Sequence, residues 1–261
     1  MQDLNSLQSS DSSDEGAQAW AIPFADMMTL LLTLFILLLV ILKESEKFVD
    51  RQINLLLEET YEQLDDKIKN EDVSIERVTK GIQITLRGNL FQSMKANVNK
   101  NYIPVIQEIS KIIEDCRLFN IGETEQYSAL MKFLDDRNEE LNVEIRCEGH
   151  TDDAILPPQS DFSNNWELSS ARSLKVVNIM NDASSISEKY FSYNGYGEFR
   201  PLINVSGIDD FQKKKQARAY NRRVEIYLDA FARPKTRSSE AEFVKMLDNK
   251  FKKEEELQLS N

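Results

Sequence analysis

The stretch VEIRCEG, residues 143–149, decides the fold together with three stretches that follow it: LSSARSLKVVNIM (168–180), YFSYNGYGE (190–198) and RRVEIYL (222–228). The first, third and fourth are typical of short strands, and the third ends in a glycine-rich turn. The second has apolar residues at helical spacing. Strands that alternate with helices in this way predict an α/β sandwich with a mixed sheet.

The residues before this core extend the same pattern. Residues 73–88 alternate apolar and polar side chains on either side of Lys80 and Gly81, which predicts a hairpin of two strands. Residues 102–116 have the helical period and predict an amphipathic helix. Residues 117–141 are polar and predict an inserted loop or a short helix.

The composition limits the classes of protein that fit this chain. Its 261 residues, 41% hydrophobic and 29% charged, suffice for one or two small domains. A net charge of −12 argues against a nucleic-acid partner, because phosphate binding needs clustered Lys and Arg. The sequence contains no nucleophile elbow, phosphate loop or metal-binding cluster, so we do not expect an enzyme. A mean hydropathy of −0.46 is typical of a soluble protein, but it conceals one apolar segment.

The apolar segment is WAIPFADMMTLLLTLFILLLVIL, residues 20–42, with Asp26 as its one charge. A helix of this length covers about 34 Å, enough to cross a hydrocarbon core of roughly 30 Å. The 12 Leu, Ile, Phe and Val residues between Met27 and Leu42 outweigh one Asp in the free energy of insertion. A core helix of a globular domain or a cleaved signal peptide fits less well. The segment therefore predicts a single transmembrane helix.

Residues 43–72 are charged and helix-favouring, with apolar residues at steps of three and four. This pattern predicts an amphipathic helix that continues from the membrane and pairs with a second copy of itself. The expected layout is a tail (1–19), a transmembrane helix (20–42), a linker and dimerisation helix (43–72), the α/β domain (73–230) and a charged tail (231–261).

Asp26 is a candidate functional residue because a carboxylate inside a membrane is costly. Lipid disfavours its ionised form, which suits a group that takes up a proton on one side and releases it on the other. Thr29 and Thr33 fall on the same helix face and predict a supporting polar stripe. The transported ion is H⁺ or Na⁺, and the small number of oxygen ligands favours H⁺. The alternative is a permanently protonated Asp26 that hydrogen-bonds a neighbouring helix.

Cys116 and Cys147 are the only two cysteines in the sequence, which also contains a single histidine. These residues are too few for a metal site with four Cys or His ligands, so we expect no metal. An oxidising compartment would permit a disulfide between the two thiols, and the alternative there is a pair of buried free thiols. The sequence leaves both alternatives open.

Four motifs occur in order in the α/β domain: GHTDD (149–153), NWELSSAR (165–172), GYG (195–197) and NRRVE (221–225). In this order they resemble the OmpA-like peptidoglycan-binding domain, over about residues 73–230. The resemblance implies that Asp152 and Arg172 bind the diaminopimelate of the cell-wall peptide, and we expect support from Thr151, Asn165 and Arg223.

The chemistry of this pair fits such a ligand. A carboxylate matches the ligand's ammonium group, and a guanidinium matches its carboxylate. The alternative is that Asp152 and Arg172 form a structural ion pair with each other. The segment DAILPPQSDFSN (153–164) is longer than is usual in the family, and it is placed to reshape or cover the pocket. His150 has no nucleophile or second base beside it, so a hydrogen bond that stabilises the turn is favoured over catalysis.

Residues 20–35, WAIPFADMMTLLLTLF, resemble the ion-carrying helix of the MotB family of flagellar stator subunits. The resemblance implies a homodimer inside a ring of a partner membrane protein. It also implies an inner-membrane location, with the N-terminus cytoplasmic and the wall-binding domain periplasmic. Basic residues after the span, Lys43, Lys47 and Arg51, favour the opposite orientation by the positive-inside tendency, which is weak for one span followed by a long folded domain.

The acidic N-terminal tail, the WAIPFADMMTLL segment and the long GHTD loop look more like the ZorB family than like flagellar MotB, which usually has a basic tail. ZorB proteins are the MotB-like subunits of Zorya anti-phage defence systems. This resemblance implies a ZorA-like ring partner in a five-to-two assembly. A flagellar stator subunit and a static wall anchor without ion conduction are the alternatives.

Overall fold

The computed structural model describes residues 11–92, 94–119, 121 and 125–235. The chain divides into two compact units, with the boundary between Arg51 and Gln52. Most of the charged tail expected over residues 231–261 lies outside the described residues, as does the start of the acidic N-terminal tail.

A single helix, α1 (Asp11–Lys67), carries the predicted span. It begins inside the acidic segment that was expected to form a tail, nine residues before the predicted start of the span. Every side chain from Trp20 to Leu42 is exposed. Within the described residues, this is the one helix that is long and apolar enough to cross a membrane.

The C-terminal part of α1 belongs to the second unit, and its apolar stripe is buried there. Ile53, Leu57 and Leu64 are 4%, 1% and 0% exposed. These three side chains are covered within the chain itself, so a second copy of the helix is not what buries them. Pairing of residues 43–72 with a second copy stays a prediction. Spacing alone predicts that a helix face is buried, and it does not indicate which surface covers it.

The second unit contains a five-stranded mixed sheet, as predicted. The strand order is β1-β2-β5-β3-β4, with β3 and β4 parallel and the other neighbours antiparallel. The strands are β1 (Val73–Val78), β2 (Gly81–Leu86), β3 (Glu139–His150), β4 (Phe191–Gly195) and β5 (Arg223–Pro234). The helices are α2 (Ile103–Asp115), α3 (Glu125–Asp136), α4 (Asn165–Ala183) and α5 (Phe211–Asn221), with one 3₁₀ turn at Glu188–Tyr190.

The predicted hairpin and the helix of residues 102–116 are confirmed as β1, β2 and α2. The polar stretch 117–141 contains the short helix α3 rather than a loop alone. Helix α5 was not predicted from the sequence. It begins after Asp210, whose side chain accepts a hydrogen bond from the Lys213 backbone N–H at 2.8 Å and so caps the helix.

Two glycines set how closely α4 packs on the sheet. A side chain at Gly149 of β3 would place its Cβ 2.1 Å from the Ser169 carbonyl oxygen. A side chain at Gly195 of β4 would place its Cβ 2.2 Å from the Ser170 hydroxyl oxygen. Because neither approach leaves room for a Cβ, glycine at both positions lets α4 lie directly on the ends of these two parallel strands.

Neither cysteine forms a disulfide. Cys147 lies on β3 and Cys116 follows α2, and both are buried free thiols. The disulfide alternative is therefore wrong in this structure, and the alternative with two free thiols holds. Burial raises the pKa of Cys147 to about 12 and also raises the pKa of Cys116, so both thiols stay protonated at neutral pH.

The sheet face turned away from α4 carries a layer of paired charges. Glu148 and Glu225 lie opposite each other on β3 and β5 and are 4% and 5% exposed. Glu148 accepts a hydrogen bond from the Arg146 guanidinium at 2.5 Å. Glu225 accepts hydrogen bonds from Arg223 Nε at 2.6 Å and from the Tyr227 hydroxyl at 2.8 Å. Arg146 also donates a hydrogen bond from β3 to Asp229 of β5 at 3.0 Å. Buried charges need such partners, so this layer ties the two strands together only while the carboxylates are ionised.

We expect Leu64→Ala to lower the free energy of unfolding of the second unit by about 2–5 kcal/mol, because it removes a fully buried side chain. Urea unfolding of the detergent-solubilised chain, followed by Trp166 fluorescence in a Trp20→Phe background, measures the change. Leu55→Ala is the control, since Leu55 is on the same helix and is 52% exposed. Equal effects of the two substitutions would contradict burial of the helix stripe within the chain.

Glu225 makes stability depend on acid pH. Burial alone would raise the pKa of Glu225, but the neighbouring His150 and Arg223 lower it from 4.5 to about 2. Its contribution to stability is therefore present above pH 4.5 and is lost as the pH falls towards 2. We expect Glu225→Gln to flatten the fall in the urea midpoint over this range. Glu140→Gln, in an exposed pair with Arg233, should leave the slope unchanged. A slope that Glu225→Gln does not alter would count against this assignment.

Candidate functional site

A cavity of about 310 Å³ lies where the end of β3 meets the start of α4. Its charged lining comes from the GHTDD segment, from α4 and from the residue before β5. Most of its apolar lining comes from the loop after β2 and from the long loop after β3. The lining residues are Gly88, Asn89, Phe91, Met94, Thr151, Asp152, Ala154, Ile155, Leu156, Asn165, Leu168, Arg172 and Arg222.

Asp152 follows β3 and has both carboxylate oxygens engaged. Oδ1 accepts a hydrogen bond from the Ala154 backbone N–H at 3.2 Å, which tightens the turn. Oδ2 accepts one from Arg222 Nη1 at 2.6 Å. The alternative of a structural ion pair between Asp152 and Arg172 is therefore wrong, because the carboxylate pairs with Arg222 instead.

Arg172 lies on α4, two helical turns after Asn165, so both side chains are on the same helix face. It is 4% exposed, its Nε donates a hydrogen bond to the Lys95 carbonyl oxygen at 3.0 Å, and its guanidinium stacks over the Phe91 ring at 4.9 Å. Burial lowers the pKa of Arg172 to about 10, while Asp152 opposes this shift. The guanidinium therefore stays charged at neutral pH and is held rigidly at the cavity.

Asn165 and Thr151 position the loop that carries Asp152. Asn165 Nδ2 donates hydrogen bonds to the carbonyl oxygens of Ala154 at 3.1 Å and Asp152 at 3.4 Å. The Thr151 backbone N–H donates to the Gly197 carbonyl oxygen at 2.9 Å. The Thr151 hydroxyl is buried and has no hydrogen-bond partner within the described residues. Thr151 is also one of the residues that line the cavity.

Arg223 does not line the cavity, so the structure does not support its predicted role in binding there. It is 4% exposed and its Nη2 donates to the Arg200 carbonyl oxygen at 3.3 Å, in addition to its pairing with Glu225. Adjacent residues at the start of a strand point to opposite sides. Because Arg223 points into the charged layer, Arg222 faces the cavity. In the sequence, only this alternation within the NRRVE motif could have indicated that Arg222 is the arginine at the cavity.

His150 also faces the charged layer rather than the cavity. It is 2% exposed, stacks on Tyr196 at a centroid distance of 5.5 Å, and its Nε2 lies 3.6 Å from Glu225 Oε2. Its ring nitrogens make no hydrogen bond within the described residues, so the expected turn-stabilising hydrogen bond is absent there. Packing against Tyr196 and Glu225 holds the ring instead.

The long loop after β3 borders the cavity, as its length suggested. Ala154, Ile155 and Leu156 form part of the lining, and Ile155 is 92% exposed. Asp153 is bound by Arg218 through two hydrogen bonds of 2.6 and 3.0 Å, and this interaction lowers the pKa of Asp153. The second carboxylate of the GHTDD motif is therefore used to fasten the loop to α5.

The membrane-segment candidates lie on α1. The Thr29 hydroxyl donates to the Asp26 backbone carbonyl oxygen at 2.7 Å, and the Thr33 hydroxyl donates to the Leu30 carbonyl oxygen at 2.8 Å. Both protons are thus used within the helix, which leaves the lone pairs of the hydroxyl oxygens free to accept. The Asp26 side chain is exposed on the helix surface.

Both parts of the chain are similar to known protein families. Residues 7–53 match the family described as membrane MotB of the proton-channel complex MotA/MotB, and residues 118–215 match the OmpA family. Motility protein B of Bacillus subtilis is 27% identical over 164 residues, which is 62% of this chain and 51% of that protein. The chain thus spans about half the length of this relative.

Two further proteins are similar to this chain over most of their own length. The uncharacterized protein YtxE of Bacillus subtilis is 22% identical over 234 residues, covering 84% of this chain and 91% of that protein. A putative MotB-like protein from Desulfovibrio vulgaris has the same domain fold, with a TM-score of 0.50 and 20% identity over 70% of this chain and 99% of that one. The chain is therefore similar to MotB in both parts: an N-terminal apolar segment that matches the membrane MotB family precedes a mixed α/β domain, part of which matches the OmpA family.

Proposed function

We propose that this chain is the wall-anchored, ion-carrying subunit of a stator-type membrane motor. The observation that carries the proposal is Arg172, a charged guanidinium that is 4% exposed and lines a cavity without an ion-pair partner of its own within the described residues. A buried cation is costly unless an anion reaches it. Its fixed position therefore favours a role in binding an anionic ligand over a role in stability.

The ligand class follows from the charges at the cavity. A carboxylate fits the guanidinium of Arg172, and an ammonium group fits the carboxylate of Asp152. The apolar side chains of Met94, Ile155 and Leu156 suit the methylene chain that joins two such groups. Diaminopimelate in the peptide of peptidoglycan has this composition, and the OmpA family match supports it.

The membrane segment supplies the ion-carrying part of the proposal. Asp26 exchanges a proton, or less favourably Na⁺, as α1 meets a surrounding ring, and the oxygens of Thr29 and Thr33 support the path. The electrical part of an ion gradient supplies about 2.3 kcal/mol per charge per 100 mV, which is enough to bias a rotation step. No cofactor is needed, and the chain acts as a motor part rather than as an enzyme.

The anchor and the ion carrier require a specific arrangement in the cell. Two copies of the chain lie in the inner membrane with the N-terminus cytoplasmic and the domain periplasmic, where peptidoglycan is found. The partner is a ring-forming, ZorA-like membrane protein, with five subunits around two copies of this chain. Because the domain is held by the wall, torque turns the ring.

The acidic N-terminal segment and the loop that borders the cavity favour a place in anti-phage defence, in a ZorB-like role, over a flagellar stator. Protection against phage plating supports the defence role, whereas restored swimming of a stator-deleted strain supports the flagellar one.

Arg172→Gln should reduce co-sedimentation of the full chain with purified sacculi at least tenfold, because the neutral amide cannot form the bidentate ion pair. Arg233→Gln, in an exposed pair with Glu140, is the control for loss of surface charge. Circular dichroism checks that both variants are folded. Sedimentation of Arg172→Gln at the wild-type level would remove the basis for wall binding at this cavity.

Asp26→Asn should abolish phage protection or motility while the chain still inserts, assembles with its partner and sediments with sacculi. The amide keeps the size of the side chain but cannot exchange a proton. Asp50→Asn makes the same change on α1 outside the predicted span and should leave activity intact. Full activity of Asp26→Asn would instead support a static anchor.

A further inference from the structure

We propose that Arg222 competes with the ammonium group of a ligand for the Asp152 carboxylate. This competition weakens the binding of ligands that carry a free ammonium group. This inference rests on the proposed function of the cavity as a site for a peptide with both an ammonium and a carboxylate group. It assigns a role to a residue that the motif resemblance leaves outside the binding pair.

The first step is the occupancy of Asp152. Arg222 Nη1 lies 2.6 Å from Oδ2, a short charge-assisted hydrogen bond, while Oδ1 accepts the Ala154 N–H. The carboxylate is 14% exposed, so few directions of approach remain. An incoming ammonium group must therefore displace the Arg222 guanidinium or share the oxygen with it.

The second step is that Arg222 is the arginine able to move. Its side chain is 39% exposed, and within the described residues its guanidinium makes one hydrogen bond, to Asp152. Arg172 is 4% exposed and is fixed by a backbone carbonyl and an aromatic ring. Arg223 is 4% exposed and is fixed by Glu225 and by two backbone carbonyls. Releasing Arg222 into solvent thus costs one partly exposed ion pair.

The third step is the charge balance of the cavity. The two guanidinium groups of Arg172 and Arg222 face the single carboxylate of Asp152. A ligand with only a carboxylate binds Arg172 and leaves the pair between Arg222 and Asp152 intact. A ligand with an ammonium group as well must break that pair or share its carboxylate oxygen. Arg222 therefore weakens binding of the second ligand class and not of the first.

Asp153, the residue after Asp152, forms an ion pair that serves as a matched control. Arg218 binds Asp153 with hydrogen bonds of 2.6 and 3.0 Å, and the two side chains are 34% and 38% exposed. Neither residue lines the cavity. Removing the Arg218 charge changes the electrostatics of the same surface without freeing Asp152.

The test is isothermal titration calorimetry on the full chain in detergent, as wild type, R222Q, R218Q and R172Q. One ligand is the N-acetylated tripeptide L-Ala-γ-D-Glu-meso-diaminopimelate, in which diaminopimelate carries the one free amino group. The other is the same N-acetylated peptide with that amino group replaced by hydrogen. We expect R222Q to bind the amino peptide about three- to fivefold more tightly, the range set by a partly exposed ion pair. The desamino peptide should bind R222Q and wild type equally. R218Q should keep the wild-type ratio of the two peptide affinities, because any loosening of the loop affects both peptides alike.

Three outcomes have distinct meanings. Weaker binding of the amino peptide by R222Q makes Arg222 a direct ligand contact and overturns the competitor role. Unchanged binding of both peptides makes Arg222 a bystander and also overturns it, while the proposed wall binding stands if R172Q still loses affinity. Absence of binding by the wild-type chain to both peptides and to sacculi overturns the proposed function together with this inference.

Discussion

The close approach of α4 to the ends of β3 and β4 is the constraint on which the site depends. Gly149 and Gly195 leave no space for a side chain against the first turns of α4. This contact brings the loop with Asp152 alongside Asn165 and Arg172. A single methyl group at either glycine would push the helix away and separate the two charges that define the cavity.

The charged residues on the two faces of the sheet differ in how completely they are paired. On the α4 side, Arg172 is buried without an ion-pair partner among the described residues. Asp152 pairs with Arg222, whose side chain is 39% exposed. On the opposite side, Glu148 and Glu225 are saturated by arginines and tyrosine. Saturated pairs stabilise the sheet, whereas an incompletely paired guanidinium costs free energy that a ligand recovers. The difference identifies which charged cluster binds and which one supports.

The helix α1 links two environments with different requirements. Residues from Trp20 to Leu42 expose apolar side chains throughout, as a lipid-facing helix does, and the segment from Gln52 onwards buries its apolar stripe in the folded unit. In the proposed motor this continuity joins the ion carrier directly to the anchored domain. A carboxylate that changes charge at Asp26 then acts against a part that the wall holds still.

Local patterns in the chain determined the apolar span, the hairpin, the strands β3 to β5, helix α4 and the order of the four motifs, because each depends on spacing within a few residues. The family resemblance of these motifs implied that Asp152, Thr151, Asn165 and Arg172 belong to one site. Only the tertiary structure decided that Arg222 faces the cavity in place of Arg223, that the stripe of Ile53, Leu57 and Leu64 is covered within the chain, and that the two cysteines stay apart. These outcomes depend on which surfaces meet across the fold, and the chemistry of a short segment does not specify its distant neighbour.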